Sequence, residues 1–378
     1  MSVASDMKLL FVITEDWFFV SHFLERAVAA RDAGYAVAVA TRLSQDEELI
    51  RGSGIIVFPI EFSRRGMNPF VELQTAFKLR SIVKRWRPSI IHNIALKPVV
   101  TGTLGEHLAG HRNIVNAPVG MGYVFTSREK RVAFVRPFIR FLIRTFLNPV
   151  GSQVVIENPD DYSALLENRL VRKEDLNLIK GAGVNVEVFN ETPEPDGPLT
   201  VVLIARMLKD KGVGEFVESA RQLKPRFQKS VSCSLVPPIR EIRPRFRLLI
   251  SIPGTRGCVE WIGHSSEVVN ILKQSHIVCL PSYREGLPKS LIEAASVGRP
   301  IVTTNVPGCR EVVEDGENGF LVPPRDSFAL ADAIEKLLID PQMRKTMGSA
   351  GRKRAVEEFS SAVIIRQTLD LYESIQIP

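Results

Sequence analysis

Residues 276–305, HIVCLPSYREGLPKSLIEAASVGRPIVTTN, contain two short apolar runs with a helix-like segment between them. HIVCLPS (276–282) and PIVTTN (300–305) are typical of strands buried in a parallel sheet, because branched apolar residues predominate in both. Pro288 suits the first position of a helix, where its missing N–H would have no partner anyway, and Gly298 suits a helix end. The sequence therefore predicts a strand, a loop, a helix over about residues 288–297 and a second strand, the repeating unit of a doubly wound α/β sheet.

The same alternation extends to both sides of this stretch. LTVVLIAR (199–206) precedes it and GFLVPP (319–324) follows it, with room for helices between the runs. We therefore predict two Rossmann-like, doubly wound α/β domains in tandem, with a cleft between the carboxyl ends of their sheets. Six similar runs lie in the first half: KLLFVIT (8–14), VAVAT (37–41), IIVFPI (55–60), SIIHNI (89–94), NIVNA (113–117) and QVVIEN (153–158).

The composition turns to Gly, Pro and acidic residues over residues 179–198, which is typical of a domain boundary. We place the first domain at residues 1–185 and the second at residues 186–360. A C-terminal helix follows at residues 361–378, and we expect it to pack back on the first domain.

The 378 residues carry a formal charge of +7, which favours an anionic partner such as a phosphorylated substrate or a membrane surface. The sequence shows no RNP-type aromatic motif and no zinc-finger spacing, so nucleic acid is not an expected partner. The start of the chain lacks a signal-peptide pattern and no apolar run is long enough to span a membrane, so we expect a cytoplasmic protein. Four scattered cysteines without a CxxC pair predict neither a disulfide framework nor a zinc site.

The segment EGLPKSLIE (285–293) places two carboxylates near a predicted helix start. The N–H groups and positive dipole at the start of a helix suit phosphate. Glu285 in the loop and Glu293 in the helix would repel a diphosphate but would accept hydrogen bonds from sugar hydroxyls. The arrangement fits a ligand that has both phosphates and sugars, whereas the alternative is two ordinary surface glutamates.

EGLPKSLIE resembles the EGxP…E signature of retaining GT-B glycosyltransferases of the family-4 type. The resemblance spans nearly the whole chain, most strongly at residues 199–227 and 258–330, and more weakly at DWFFVSHFLERAVAARDAGYAVAVAT and IIHNIALKPVVTGTLG. It implies a bacterial enzyme that builds capsule or lipopolysaccharide by moving a sugar from a nucleoside diphosphate, with UDP expected, to a lipid-linked acceptor. By this resemblance Glu293 holds the ribose, Glu285 lies by the donor sugar, and the Gly286–Leu287 backbone lies against the phosphates.

ARMLKDKG (205–212) follows the first predicted strand of the second domain, and its Arg206 and Lys211 match the family's cationic pair. Cations at this position would stabilise the charge that builds on a departing diphosphate more than they stabilise the ground state. The alternative is a solvated basic turn.

His92 is predicted to end the strand SIIHNI and to face the cleft, where the family has a histidine that positions the donor sugar or the acceptor. A buried, hydrogen-bonded core histidine is the alternative. DWFFVSHF lacks the glycine-rich loop that many relatives have after the first strand. The remaining acceptor-side candidates are Asp16, Ser21, His22, Gly120, Gly122 and Tyr123.

Residues 128–147, REKRVAFVRPFIRFLIRTFL, form a predicted basic amphipathic helix in which Arg136, Arg140 and Arg144 recur every four residues. Such a helix can lie on an anionic membrane. It can equally be a domain helix with a solvated arginine stripe.

The resemblance implies retention of configuration without a metal or other cofactor. No residue stands out as a covalent nucleophile, so we expect front-face displacement in which the leaving phosphate takes the acceptor proton. The two alternatives are a GT-B sugar-nucleotide epimerase and a catalytically impaired nucleotide-sugar-binding protein.

Residues 228–256 break the pattern, with paired prolines and scattered arginines where the family has a buried strand. In a reading frame shifted from Lys229 onward, each codon consists of the last base of one codon and the first two bases of the next. The genetic code allows this shifted frame to encode V-R-F-L-L-V-G, which matches the family's buried strand. We interpret the segment as the product of two compensating frameshifts, and the alternative is a divergent surface insertion. Either way we expect it to pack poorly and activity to suffer.

Overall fold

The computed structural model describes residues 7–62, 69–119, 141–227, 231–236, 259–263, 265 and 267–375. The chain divides into two compact units, one formed by residues 1–182 and 361–378 and the other by residues 183–360. Across the part of the chain that is described, no helix combines the length and the apolar character needed to cross a membrane.

The first unit is built on a seven-stranded parallel sheet in the order β3-β2-β1-β4-β5-β6-β7. Leu9, Phe11 and Ile13 of β1 are buried on one side of the sheet, and Leu10 and Val12 are buried on the other. This burial on both faces explains the continuous apolar run in the sequence. The strands are β1 (Lys8–Glu15), β2 (Ala36–Arg42), β3 (Ile56–Pro59), β4 (Ile90–Ile94), β5 (Ile114–Ala117), β6 (Ser152–Ile156) and β7 (Leu176–Leu178).

Helices connect the strands of the first unit. The C-terminal helix, Ser361–Ser374, belongs to this unit and packs against the helix Leu24–Asp32. Residues 141–146 are also helical. The remaining α-helices are α1 (Asp16–His22), α2 (Leu24–Asp32), α3 (Glu47–Gly52), α4 (Pro69–Trp86), α5 (Leu96–Leu108) and α6 (Pro159–Glu167).

The second unit has a six-stranded parallel sheet in the order β10-β9-β8-β11-β12-β13. Both units are therefore doubly wound α/β structures, which confirms the predicted fold class. The strands are β8 (Leu199–Ile204), β9 (Val231–Val236), β10 (Glu260–Trp261), β11 (Ile277–Leu280), β12 (Ile301–Thr304) and β13 (Gly319–Val322). The helices are α7 (Val213–Leu223), α8 (Val268–Lys273), α9 (Lys289–Ser296), α10 (Cys309–Val312), α11 (Ser327–Ile339) and α12 (Pro341–Glu358).

Six residues of the unpatterned segment form a regular strand. Val231–Val236 of β9 pair in parallel with Leu199–Ile204 of β8, residue for residue, and β10 pairs with the other edge of β9. The expectation of poor order is therefore wrong for the backbone of these six residues, since VSCSLV supplies the hydrogen-bonded strand that the sheet needs. The rest of residues 228–256 lies outside the described residues.

Candidate functional site

The sheet of the second unit reverses its strand order between β8 and β11, and the segments that follow these two strands meet at this point. Lys211 ends a short 3₁₀ helix after β8, and Glu285 lies in the loop after β11. The Lys211 Nζ atom lies 2.6 Å from Oε1 and 2.8 Å from Oε2 of Glu285. Their side chains are only 14% and 11% exposed. The structure therefore joins two of the predicted site residues in a largely buried ion pair at the topological switch point, where open α/β sheets bind their ligands.

Two glycines fix the backbone around this pair. Gly212, with φ of +70°, lies so close to Pro281 that an added Cβ atom would be 2.0 Å from the Pro281 carbonyl oxygen. Gly308, with φ of +80°, lies under the loop after β11, where a Cβ atom would be 2.3 Å from the Gly286 carbonyl oxygen. Only glycine fits positions that combine a left-handed backbone with such close approach. The loop that bears Glu285 is thus held from two sides.

Glu293 lies in α9, which begins at the same edge of the sheet with Pro288 as its N-cap. The residue is 8% exposed, and Lys289 Nζ lies 3.4 Å from its Oε1 atom. Burial raises the pKa of the Glu293 carboxyl, and the charge of Lys289 acts in the opposite direction. A buried carboxylate with one nearby cation is suited to accept hydrogen bonds from ligand hydroxyls, as predicted for a ribose.

The other predicted donor residues occupy the same edge of the second unit. Arg206 follows β8 and its side chain is exposed. Gly286 and Leu287 are half-buried between Glu285 and α9, with Leu287 packed against the core of the unit.

His92 corrects the sequence prediction. It is the third of five residues in β4, is 1% exposed, and does not end the strand. Its Nδ1 atom lies 2.7 Å from the hydroxyl of Tyr372 in the C-terminal helix, and Phe11 and Phe23 pack around its ring. Burial and the charge of Arg26 lower the pKa of His92 to about 3, so the ring is neutral. The structure places His92 in the core, which was the alternative interpretation.

Asp16 starts α1, and its carboxylate is occupied within its own unit. It accepts hydrogen bonds from the Ser44 hydroxyl and from the backbone N–H groups of Trp17, Ser44, Gln45 and Asp46. Burial alone would raise the pKa of Asp16, but the hydrogen bonds outweigh burial and the pKa lies below its ordinary value. Asp16 therefore anchors the segment after β2, a role that the sequence did not indicate.

His22 ends α1 and is half-buried. Its Nδ1 atom lies 2.6 Å from the Ser21 hydroxyl oxygen, and its ring lies 4.4 Å from that of Phe18. Gly120, Gly122 and Tyr123 fall outside the described residues, as do residues 128–140 of the predicted basic helix. In its described part, Phe141 is 61% exposed whereas Ile143 and Leu147 are buried.

Sequence reasoning missed the residues that hold the Lys211–Glu285 pair in place. Gly212 directly follows Lys211 in KDKG, and Gly308 lies in VPGC, so both glycines mark turns that a sequence can suggest. The backbone N–H of Tyr283 bonds to the carbonyl of Asp210, next to Lys211, at 2.8 Å. The sequence gives no signal for this contact, because the two residues lie far apart in the chain.

Comparison with known proteins identifies the chain. Residues 185–354 match the family model "Glycosyl transferases group 1", and residues 8–154 match "Glycosyl transferase 4-like". The two models together cover most of the chain and both describe glycosyl transferases, so the chain is a glycosyl transferase. It is therefore a transferase enzyme, as the EGLPKSLIE signature predicted.

Two relatives match most of the chain. One is an N,N'-diacetylbacillosaminyl-diphospho-undecaprenol alpha-1,3-N-acetylgalactosaminyltransferase of Campylobacter jejuni, 28% identical over 88% of this chain and 89% of the relative. Another is the capsular polysaccharide biosynthesis glycosyltransferase CapM of Staphylococcus aureus, 24% identical over 82% and 83%. Among solved structures, Anabaena HepE in complex with UDP-glucose superposes with a TM-score of 0.79 at 19% identity, over 97% of this chain and all of that one. This likeness supports the GT-B fold.

Proposed function

We propose that this glycosyltransferase moves a sugar from a UDP-sugar, with retention of configuration, to a saccharide carried on a lipid diphosphate. The observation that supports this most strongly is the Lys211–Glu285 ion pair, buried at the switch point beside the start of α9 and Glu293. Binding a UDP-sugar requires a cation for the diphosphate, N–H donors for its oxygens and an acceptor for the ribose hydroxyls. These groups lie on neighbouring segments at one edge of the second unit.

The ion pair would let an anionic diphosphate approach an acidic side chain. An isolated Glu285 carboxylate would repel the phosphates, whereas its charge is balanced by Lys211 at 2.6 Å. The first turn of α9 adds N–H groups that have no partner within the helix. Arg206, exposed at the end of β8, would supply the second cation.

In the proposed reaction, the bond between the sugar C1 and the diphosphate oxygen breaks and its electron pair goes to that oxygen. The acceptor hydroxyl oxygen bonds to C1 on the same face of the ring, and its proton passes to the departing diphosphate. Lys211 would stabilise the negative charge that grows on the diphosphate, and fixed charges of this kind act most strongly in a water-poor site. Glu285 would hold the Lys211 ammonium in place and contact the donor sugar.

The choice of donor and acceptor rests on the printed names of similar proteins. HepE was solved with UDP-glucose, and the Campylobacter jejuni relative is named for transfer to a diphospho-undecaprenol-linked sugar. Enzymes that act on such acceptors work at a membrane surface. We therefore propose peripheral contact with the inner face of the cell membrane, with residues 128–147 as the candidate contact segment.

Transfer of radiolabelled sugar from UDP-N-acetylgalactosamine or UDP-glucose into the lipid extract of bacterial membranes tests this proposal. We expect label in the lipid fraction with the wild-type chain and a rate of labelling at least 100-fold lower, but still measurable at high enzyme concentration, with Glu285→Ala. An epimerase would instead interconvert the UDP-sugars without acceptor, and a binding protein would leave the label in the original donor. Either of these results would contradict the proposed reaction.

A further inference from the structure

Tyr283 lies two residues before Glu285, in the segment between β11 and α9, and makes three different contacts. Its hydroxyl donates a hydrogen bond to Oε1 of Glu215, in the first turn of α7. The guanidinium carbon of Arg325, which directly precedes the N-cap of α11, lies 4.7 Å from the centre of the Tyr283 ring. Its backbone N–H donates to the Asp210 carbonyl at 2.8 Å. One side chain thus connects the Glu285 loop to the starts of two helices.

The same contacts connect the loop to Lys211. Asp210 immediately precedes Lys211, and its carbonyl oxygen also lies 3.0 Å from the Ser282 hydroxyl. The backbone N–H of Tyr283 is therefore bonded to the carbonyl of Asp210. The side chains that meet are those of Lys211, one residue after Asp210, and Glu285, two residues after Tyr283. A displacement of the segment around Tyr283 would change the distance between the Lys211 and Glu285 charges.

The hydroxyl of Tyr283 stays protonated at neutral pH. Burial, the hydrogen bond to Glu215 and the charge of Glu215 raise the pKa of Tyr283 to about 12. Glu215 therefore accepts this hydrogen bond throughout the neutral pH range. Hydrogen bonds to a charged acceptor are about twice as strong as those between neutral groups.

We propose that Tyr283 is a positioning residue of the glycosyl-transfer site, one that sets the geometry of the Lys211–Glu285 pair without touching the substrate. This inference rests on the proposed function in assigning the pair to the donor diphosphate. Phenylalanine at this position keeps the ring under Arg325 but loses the bond to Glu215, and alanine loses both contacts.

A double-mutant cycle separates positioning from simple stability. In the wild-type background we expect Tyr283→Ala to lower kcat for sugar transfer about 10- to 100-fold, and Tyr283→Phe to lower it less. In a Glu285→Ala background the same change should lower kcat less than about twofold, because the geometry it disturbs no longer exists. Assays run well below the Tm of every variant keep the loss of kcat from reporting unfolding. An equal fall in kcat in both backgrounds would overturn the inference.

Phe320→Ala is the matched control. The ring of Phe320 lies 5.4 Å from Lys336 Nζ, so this variant also removes an aromatic ring beside a cation in the second unit, but in β13. It should lower the Tm and leave kcat unchanged.

UDP binding measured by calorimetry keeps this test independent of the proposed reaction. Tyr283→Ala should weaken UDP binding about tenfold through Lys211 and should have less than about a twofold effect in a Lys211→Ala background. Failure to find sugar transfer by the wild-type chain would refute the proposed reaction alone. Equal effects on UDP affinity in both backgrounds would refute the positioning role alone.

Discussion

Replacing Lys211 by methionine should affect stability and activity in separable ways. The Lys211 ammonium lies 2.6 Å from the Glu285 carboxylate, and the two side chains are 14% and 11% exposed. Removing one partner of a fully buried pair costs about 3–5 kcal/mol, whereas an exposed pair contributes about 0–1 kcal/mol. At this burial we expect Lys211→Met to lower the free energy of unfolding by about 3 kcal/mol, because the remaining carboxylate is left without a counter-charge.

The double variant Lys211→Met with Glu285→Gln tests the cause of that loss. It removes both charges and keeps side chains of similar size, so we expect it to recover most of the lost stability. For a domain of this size, about 3 kcal/mol corresponds to a Tm change of about 6–12 °C, which differential scanning calorimetry resolves. Transfer of labelled sugar should behave differently. Both variants should be slower than wild type by about 100- to 1000-fold, the range seen when one group that stabilises a developing oxyanion is removed.

Two results would refute this reasoning. If Lys211→Met leaves the Tm unchanged, the ion pair does not stabilise the second unit in solution. If the double variant recovers transfer together with stability, Lys211 acts only as a structural partner of Glu285, and the developing charge must be stabilised elsewhere.

Three further predictions concern other parts of the chain. Gly308→Ala should lower both the Tm and the transfer rate, because its Cβ atom would lie 2.3 Å from the Gly286 carbonyl oxygen. Gly316→Ala is the matched control, since Gly316 also has a positive φ, of +81°, but no atom within 4 Å of an added Cβ. Equal effects of the two substitutions would show that only backbone strain matters. Burial raises the pKa of Glu106 to about 8 from a usual 4.5, against a hydrogen bond from Asn93, so the folded state favours the protonated form. The free energy of unfolding should therefore fall as the pH rises from about 4.5 to about 8, and Glu106→Gln should reduce that fall; identical pH profiles in urea denaturation would contradict this. Sequencing of the coding DNA should show that the shifted reading frame from Lys229 onward encodes V-R-F-L-L-V-G. Any other encoded sequence would favour a divergent insertion.

The sequence predicts those features that depend on periodicity and strand order. Runs such as KLLFVIT and LTVVLIAR became central strands, because Val, Ile and Leu buried on both faces leave a continuous apolar signal. The proximity of Lys211 and Glu285 also follows, because each comes after a strand and the carboxyl ends of parallel strands share one edge. Their direct pairing does not follow, since it depends on side-chain directions within two loops.

The failures involve partners that are distant in the chain. His92 was placed at a strand end, but β4 continues to Ile94, and the Tyr372 hydroxyl that bonds its ring comes from a helix 280 residues away. The hydrogen bonds of Asp16 could not be predicted either, because nothing local shows that the backbone of residues 44–46 approaches its carboxylate. VSCSLV does alternate apolar and small polar residues over V-S-C-S-L, which is a strand signal, but the prolines and arginines that follow it obscured this short run. The structure pairs it with β8 as a parallel strand.

A crystal structure of the chain soaked with UDP tests the central claim most directly. The account predicts that a phosphate oxygen lies within hydrogen-bond distance of Lys211 Nζ and that a ribose hydroxyl donates to the Glu293 carboxylate. UDP bound with its diphosphate away from Lys211, or with its ribose away from α9, would contradict it.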